Sequence, residues 1–168
     1  PPFAATSAIP DTVEWRLPLH PLTFWTAPFT VNGRVDQMFK FRTTRVRNDL
    51  DRIAGFAHLP RQRILVSGST GLIGLQLCAF LSAAGHSITR LVRPSSKLPA
   101  DANGDDVVEW NDQTGELISG DLNGFDTVIH LAGAGIGDKR WSAKRKTLIR
   151  ESRTVPTRNL TTLLAGLD

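Results

Sequence analysis

Residues 63–74 read RILVSGSTGLIG, a short apolar run followed by glycines at 68, 71 and 74. The run Arg63–Ser67 suits a buried parallel strand. Behind the turn, residues 71–84 carry Leu72, Ile73, Leu75, Leu77, Cys78, Phe80 and Leu81 on a broad apolar face that ends before Gly85, the pattern of a helix packed on a sheet. Few folds admit a strand, a glycine turn and a helix in that order. Downstream, Ser87–Val92, Val107–Trp110 and Asp126–Leu131 have strand composition, and helices are predicted over Ser142–Arg153 and Pro156–Ala165, proline being allowed in a first helical turn. Strands alternating with helices predict an α/β fold with a doubly wound parallel sheet.

The turn also has a chemistry. A pyrophosphate needs main-chain N–H groups converging at a helix N-terminus, with no side chains in the way. Glycines 68 and 71 clear that approach, Gly74 would let the helix sit close to the first strand, and Ser69 and Thr70 offer hydroxyls to phosphate oxygens. The spacing is G-x-x-G-x-x-G rather than the G-x-G-x-x-G of classical dinucleotide dehydrogenases, so its weight rests on the strand before it and the helix after it. The second strand ends at Arg93, where classical NAD-binding folds place an acidic residue for the ribose hydroxyls. A guanidinium there pairs with a 2′-phosphate that a carboxylate would repel, which favours NADP. That inference rests on position alone, and a plain surface arginine is the alternative reading; Lys97 adds charge nearby or is simply solvated. After the DTVIHL strand, Leu131-Ala132-Gly133-Ala134-Gly135 supplies the small residues that let a dinucleotide lie across the end of a sheet. His130 reads as structural, and His20, His58 and His86 form no metal-ligand spacing with it.

Residues 1–60 differ in character, with seven prolines, at 1, 2, 10, 18, 21, 28 and 60. Thr12–Leu17 alternates as a half-exposed strand, and apolar residues from Val31 to Ile53 recur at helical spacing in one long amphipathic helix. A strand and a helix cannot enclose a core, so their apolar faces need a partner elsewhere. The start, Pro1-Pro2-Phe3, is neither methionine nor leader-like, and the chain reads as a piece of a longer protein. The lone Cys78 reads as a buried thiol in a reducing, cytoplasmic setting, and no apolar run is long enough to span a membrane. A net charge of +4, concentrated between Lys139 and Arg158, is explained by a solvated helix face; no nucleic-acid recognition motif accompanies it. Trp141 within that run reads as an anchor for its loop.

SGSTGLIG, the strand ending LVRP, EWNDQTGEL, and FDTVIHLAGAGIGDKRWSAKRKTLIRESRTVPTRNL together resemble an atypical, extended branch of the short-chain dehydrogenase/reductase superfamily, epimerase-like and NAD(P)-binding, whose members were sometimes labelled cell-division inhibitors. The likeness covers residues 61–168 and implies the N-terminal part of a Rossmann domain binding NADP. On it, Gly68, Gly71 and Gly74 match the phosphate turn, Ser69, Thr70, Leu72 and Ile73 its lining, Arg93 the 2′-phosphate contact, and Leu131, Ala132 and Gly133 the segment beside the adenosine. Arg153 stands where the superfamily usually has a structural asparagine, which leaves it a cofactor or substrate contact. Residues 1–58 resemble the tail of a polyketide-cyclase-like, or START-like, helix-grip domain through Asp11-Thr12-Val13-Glu14-Trp15, Met38-Phe39-Lys40-Phe41-Arg42 and Asp49-Leu50.

Hydride-transfer members of the superfamily use a Tyr-x-x-x-Lys motif, in which tyrosine exchanges a proton and lysine lowers its pKa. This chain has no tyrosine, so the catalytic residues are expected after Asp168. Two readings stay open: the cofactor domain of an NADP-dependent oxidoreductase or epimerase acting on a small molecule, and a non-catalytic NADP-binding regulatory or redox-sensing module.

Overall fold

The computed structural model describes residues 12, 31, 33–98 and 105–167, so the strand expected over 12–17 lies, apart from Thr12, outside the described residues. The chain divides into two units, Pro1–Asp51 and Arg52–Asp168.

The long amphipathic pattern forms helix α1, Gly33–Gly55, with Asp36 in its first turn and Arg52 in its last, each the sign that the helix dipole favours. Two exposed pairs at i,i+4, Lys40 with Asp36 and Arg45 with Asp49, stand at 3.9 Å. None of its residues is buried, and Met38, Phe41, Val46 and Leu50 are exposed.

From Arg63 the chain runs β1 (Arg63–Ser67), α2 (Leu72–Ala83), β2 (Ser87–Val92), β3 (Asp106–Trp110), β4 (Leu117–Ser119), β5 (Thr127–His130) and α3 (Ala143–Ala165). The sheet order is β4-β3-β2-β1-β5, with β4 antiparallel to β3 and every other pairing parallel. Each face of the sheet has its own core, because alternate residues of buried strands point to opposite sides. Ile64, Val66, Cys78 and Ile88 fill the α2 side, together with Leu81 and Ile129. Leu65, Leu91, Val108, Trp110, Leu122 and Leu160 fill the α3 side. Helices on both faces make this the doubly wound α/β sheet that the alternation predicts.

Two details depart from the pattern. The expected pair of helices after residue 142 is one continuous helix running through Pro156. Proline removes the single rung from its own nitrogen to the residue 152 carbonyl, and its ring is fully buried, so packing outweighs the interruption. The second departure is β4, which the sequence reading did not contain. Asn111-Asp112-Gln113-Thr114-Gly115 turns the chain back after β3, with the Asn111 side chain accepting the N–H groups of Gln113 and Thr114 at 3.0 and 3.3 Å. The side chain thereby replaces strand pairing for those donors, as an Asx turn does.

Candidate functional site: a cleft at the carboxyl edge of the sheet

At the carboxyl ends of the parallel strands, a cleft of about 580 Å³ opens between the turn after β1, the end of β2 and the segment after β5. The strand order runs from β1 through β2 and β3 to β4 on one side and then returns to place β5 on the other side of β1, so it reverses beside β1, the switch point where open α/β folds hold ligands.

The turn is built by close backbone approach. Gly68 has φ +77°, and a Cβ there would stand 2.6 Å from the Ala132 nitrogen, so only glycine lets the turn pass against the chain leaving β5. At Gly74 a Cβ would meet the Gly68 oxygen and the Ser69 Cα, which brings α2 directly beneath the turn. Gly71 caps α2 in extended conformation with no side-chain cap, leaving the first N–H groups of the helix without a side-chain acceptor. Ser69 is 1% exposed, and its hydroxyl has no hydrogen-bond partner among the described residues. An orphaned donor beside uncapped N–H groups is the arrangement a phosphate oxygen would satisfy.

Of the residues singled out from sequence, Gly68, Ser69, Thr70, Gly71, Arg93, Leu131, Ala132 and Gly133 all line this cleft. Gly74 does not line it and acts through the packing just described. Leu72 and Ile73 lie in the first turn of α2, 84% and 69% exposed, outside the lining. Arg93 is exposed at the rim, where its carbonyl accepts the Ser96 N–H at 2.8 Å; Ser96 lines the cleft and Lys97 does not.

Sequence reasoning missed several contributors. Arg90, 3% exposed, donates from Nη1 to the Ser69 carbonyl at 3.2 Å and from Nε to Asp105 at 2.7 Å, tying the phosphate turn to the second strand. An arginine inside the strand-forming run SITRLV was the available signal. Asp112 and Gln113 on the β3–β4 turn, with Glu151 and Ser152 on α3, also line the cleft. The Thr114-Gly115 turn between two apolar stretches was the signal for that hairpin. Arg153, left open between cofactor and substrate, donates to the Ala134 and Ile149 carbonyls at 3.2 and 3.0 Å. A Cβ on Gly133 would stand 3.1 Å from its guanidinium carbon, so the small residue makes room for it. Trp141 donates from its indole to the Ile136 carbonyl at 2.9 Å, closing its loop while remaining 56% exposed.

His130 is half-buried next to Ser67 in register, and neither ring nitrogen has a partner among the described residues. Burial lowers its pKa from the ordinary histidine value, opposed by the charge of Asp112. Among the described residues no group of three or more His, Cys, Asp or Glu is placed to hold a metal ion, and no helix is long and apolar enough to cross a membrane.

A family model described as "NAD dependent epimerase/dehydratase family" matches residues 64–167, the segment that builds the sheet, the turn and the cleft. The chain belongs to that family. Its matched segment is an epimerase-like NAD(P)-binding domain, and the cleft lies within it. The chain is 38% identical over 102 residues to Epimerase family protein Mb2239 of Mycobacterium bovis, a stretch covering 61% of this chain and 32% of that protein. It is 32% identical over 105 residues to Epimerase family protein SDR39U1 of Bos taurus, with the same coverage of 61% and 32%. Its fold is similar to the crystal structure of the nucleoside-diphosphate sugar epimerase from Corynebacterium glutamicum, with TM-score 0.56 and 32% identity over 76% of this chain and 25% of that one. The chain thus spans about a third of the length of the curated relatives it matches.

Proposed function

We propose that residues 61–168 bind NADP(H) in the cleft, as the cofactor-holding part of an NADP-dependent oxidoreductase or epimerase acting on a small molecule. The observation that carries this reading is the uncapped N-terminus of α2 with the unpartnered Ser69 hydroxyl beside it. The diphosphate would lie on the main-chain N–H groups of residues 70–73, Leu72 and Ile73 contributing through their backbone rather than their exposed side chains. Gly68 and Gly71 keep that approach open. Arg93, on the cleft rim at the end of β2, would pair with the 2′-phosphate, and Leu131, Ala132 and Gly133 would lie beside the adenosine. When bound, the cofactor would accept or supply a hydride according to its redox state; these residues would bind and orient it. No tyrosine occurs in the chain to exchange a proton, so this stretch is assigned cofactor binding and no catalytic residue is named within it.

Fluorescence titration of the chain with NADPH and NADH tests this reading. The expected result is tighter binding of NADPH, and in Arg93→Ala a loss of roughly tenfold to a hundredfold for NADPH with little change for NADH, the range for a charge-assisted pair. Equal affinity of the unmodified chain for both would sink the 2′-phosphate assignment, and binding of neither would sink the cofactor site.

We also assign residues 1–58 to the tail of a START-like domain, supported by Met38–Arg42 and Asp49-Leu50 lying on the single helix α1. A cytoplasmic setting remains part of this proposal.

A further inference from the structure

Helix α3 meets the rim of the cleft at two separate places. Near its middle, Ser152 and Arg153 hold both main-chain groups of Ala134. The Ala134 N–H donates to the Ser152 hydroxyl at 2.9 Å, and Arg153 Nη1 donates to the Ala134 carbonyl at 3.2 Å. Further along, Asn159 donates from Nδ2 to the carbonyls of Asp112 and Gln113, at 3.0 and 2.9 Å. Ala134 belongs to the segment leaving β5, and Asp112 and Gln113 to the β3–β4 turn; all three line the cleft.

The spacing makes this more than two unrelated tethers. Asn159 follows Ser152 by seven residues. At 3.6 residues per turn that is about two turns, so both side chains leave the same helix face about 10 Å apart. Pro156 lies between the two tethers and removes one rung of the helix, but its buried ring and Leu160, in the core with residues of β1, β2 and β3, fix this stretch of the strut to the sheet. Neither rim segment belongs to a regular strand or helix.

We propose that α3 is a spacer that sets the width of the cofactor cleft, with Asn159 a positioning residue for the Asp112–Gln113 rim and Ser152 with Arg153 positioning residues for the Ala134 rim. Arg153 and Asn159 act through the main-chain segments they hold, and Ser152 holds Ala134 while lining the cleft itself. The proposal rests on the cofactor lying in the cleft, as argued above. It adds a coupling: the distance between the rims is defined only while both tethers are made, so releasing either end frees the width.

A double-mutant cycle on the 168-residue chain tests it, with NADPH affinity measured for the unmodified chain, Ser152→Ala, Asn159→Ala and the double variant well below their melting temperatures. Each single substitution is expected to raise the Kd by roughly fivefold to tenfold, on the scale of one or two lost hydrogen bonds. The double variant is expected to bind about as weakly as the weaker single one. Independent sites at this separation ordinarily contribute additively, so a double effect equal to the product of the two single effects would overturn the spacer. So would single variants that bind like the unmodified chain. Should Asn159→Ala fail to fold, Asn159→Asp keeps the shape and removes both donors, and the same cycle decides. Absence of NADPH binding by the unmodified chain would instead refute the cofactor reading on which the spacer rests.

Discussion

Gly74 lies so close beneath Gly68 that a methyl group on it would overlap the Gly68 carbonyl oxygen and stand 2.7 Å from the Ser69 Cα. The third glycine of the turn therefore serves the contact between helix and turn, while the first serves the contact between the turn and the segment after β5. The middle one is sterically free, because a Cβ on Gly71 would come no closer than 3.4 Å to the Gly68 oxygen.

Substitutions at the two helix-side glycines should separate stability from binding. Gly74→Ala forces backbone apart on both sides and is expected to destabilise by about 1–3 kcal/mol, as overpacking does, with NADPH binding lost as the turn shifts. Gly71→Ala is expected to leave the denaturation midpoint nearly unchanged and to weaken NADPH binding, since position 71 lines the cleft. Urea denaturation with parallel titrations would read both, and a stable, binding-competent Gly74→Ala would refute the close-packing account.

Arg90 and Asp105 offer a second separation. Their side chains are 4% and 17% exposed, so breaking the pair by changing one partner is expected to cost on the order of 3–5 kcal/mol. Asp105→Asn leaves the guanidinium on the Ser69 carbonyl, whereas Arg90→Met releases that carbonyl as well. Faster amide hydrogen exchange at Ser69 and Thr70 is expected in Arg90→Met and not in Asp105→Asn. Equal exchange in the two variants would show that the arginine does not hold the turn.

The His130 environment predicts a pH dependence. Its folded pKa is lowered by burial from the ordinary 6.5, so between those values the unfolded chain binds a proton that the folded chain does not. Stability is then fully present above the unfolded value, falls as pH drops through it, and levels off below the folded pKa. The difference in melting temperature between the unmodified chain and His130→Asn should change in that direction between about pH 7.5 and pH 5.5. A difference that stays constant over the range would exclude the histidine as the source.

The candidate site was legible where a local sequence pattern has one physical meaning. Arg63–Ser67 and Ser87–Val92 occupy the bounds that their apolar runs predict, and the glycine turn falls between a strand and a helix as required. Arg93 reaches the rim because the end of a strand fixes where the next residue emerges. The β4 strand was missed because a run of three residues, Leu117–Ser119, carries too little alternation to register, and its pairing to β3 depends on the turn between them. Pro156 misled because its effect on a helix is local, whereas the burial that outweighs it comes from the sheet.

The amino-acid sequence by itself determined the order of the parallel strands and of the helix after the first of them, the phosphate-type turn and the absence of tyrosine chemistry within these residues, because periodicity, glycine placement and composition are local properties. Tertiary structure alone decided what holds the cleft. Arg90 reaches the turn from the neighbouring strand, and Ser152, Arg153 and Asn159 reach rims that are 18, 19 and 46–47 residues away in the chain. Such contacts leave no periodic trace in the sequence, since they form only when the parallel crossover connections bring distant segments to one edge of the sheet.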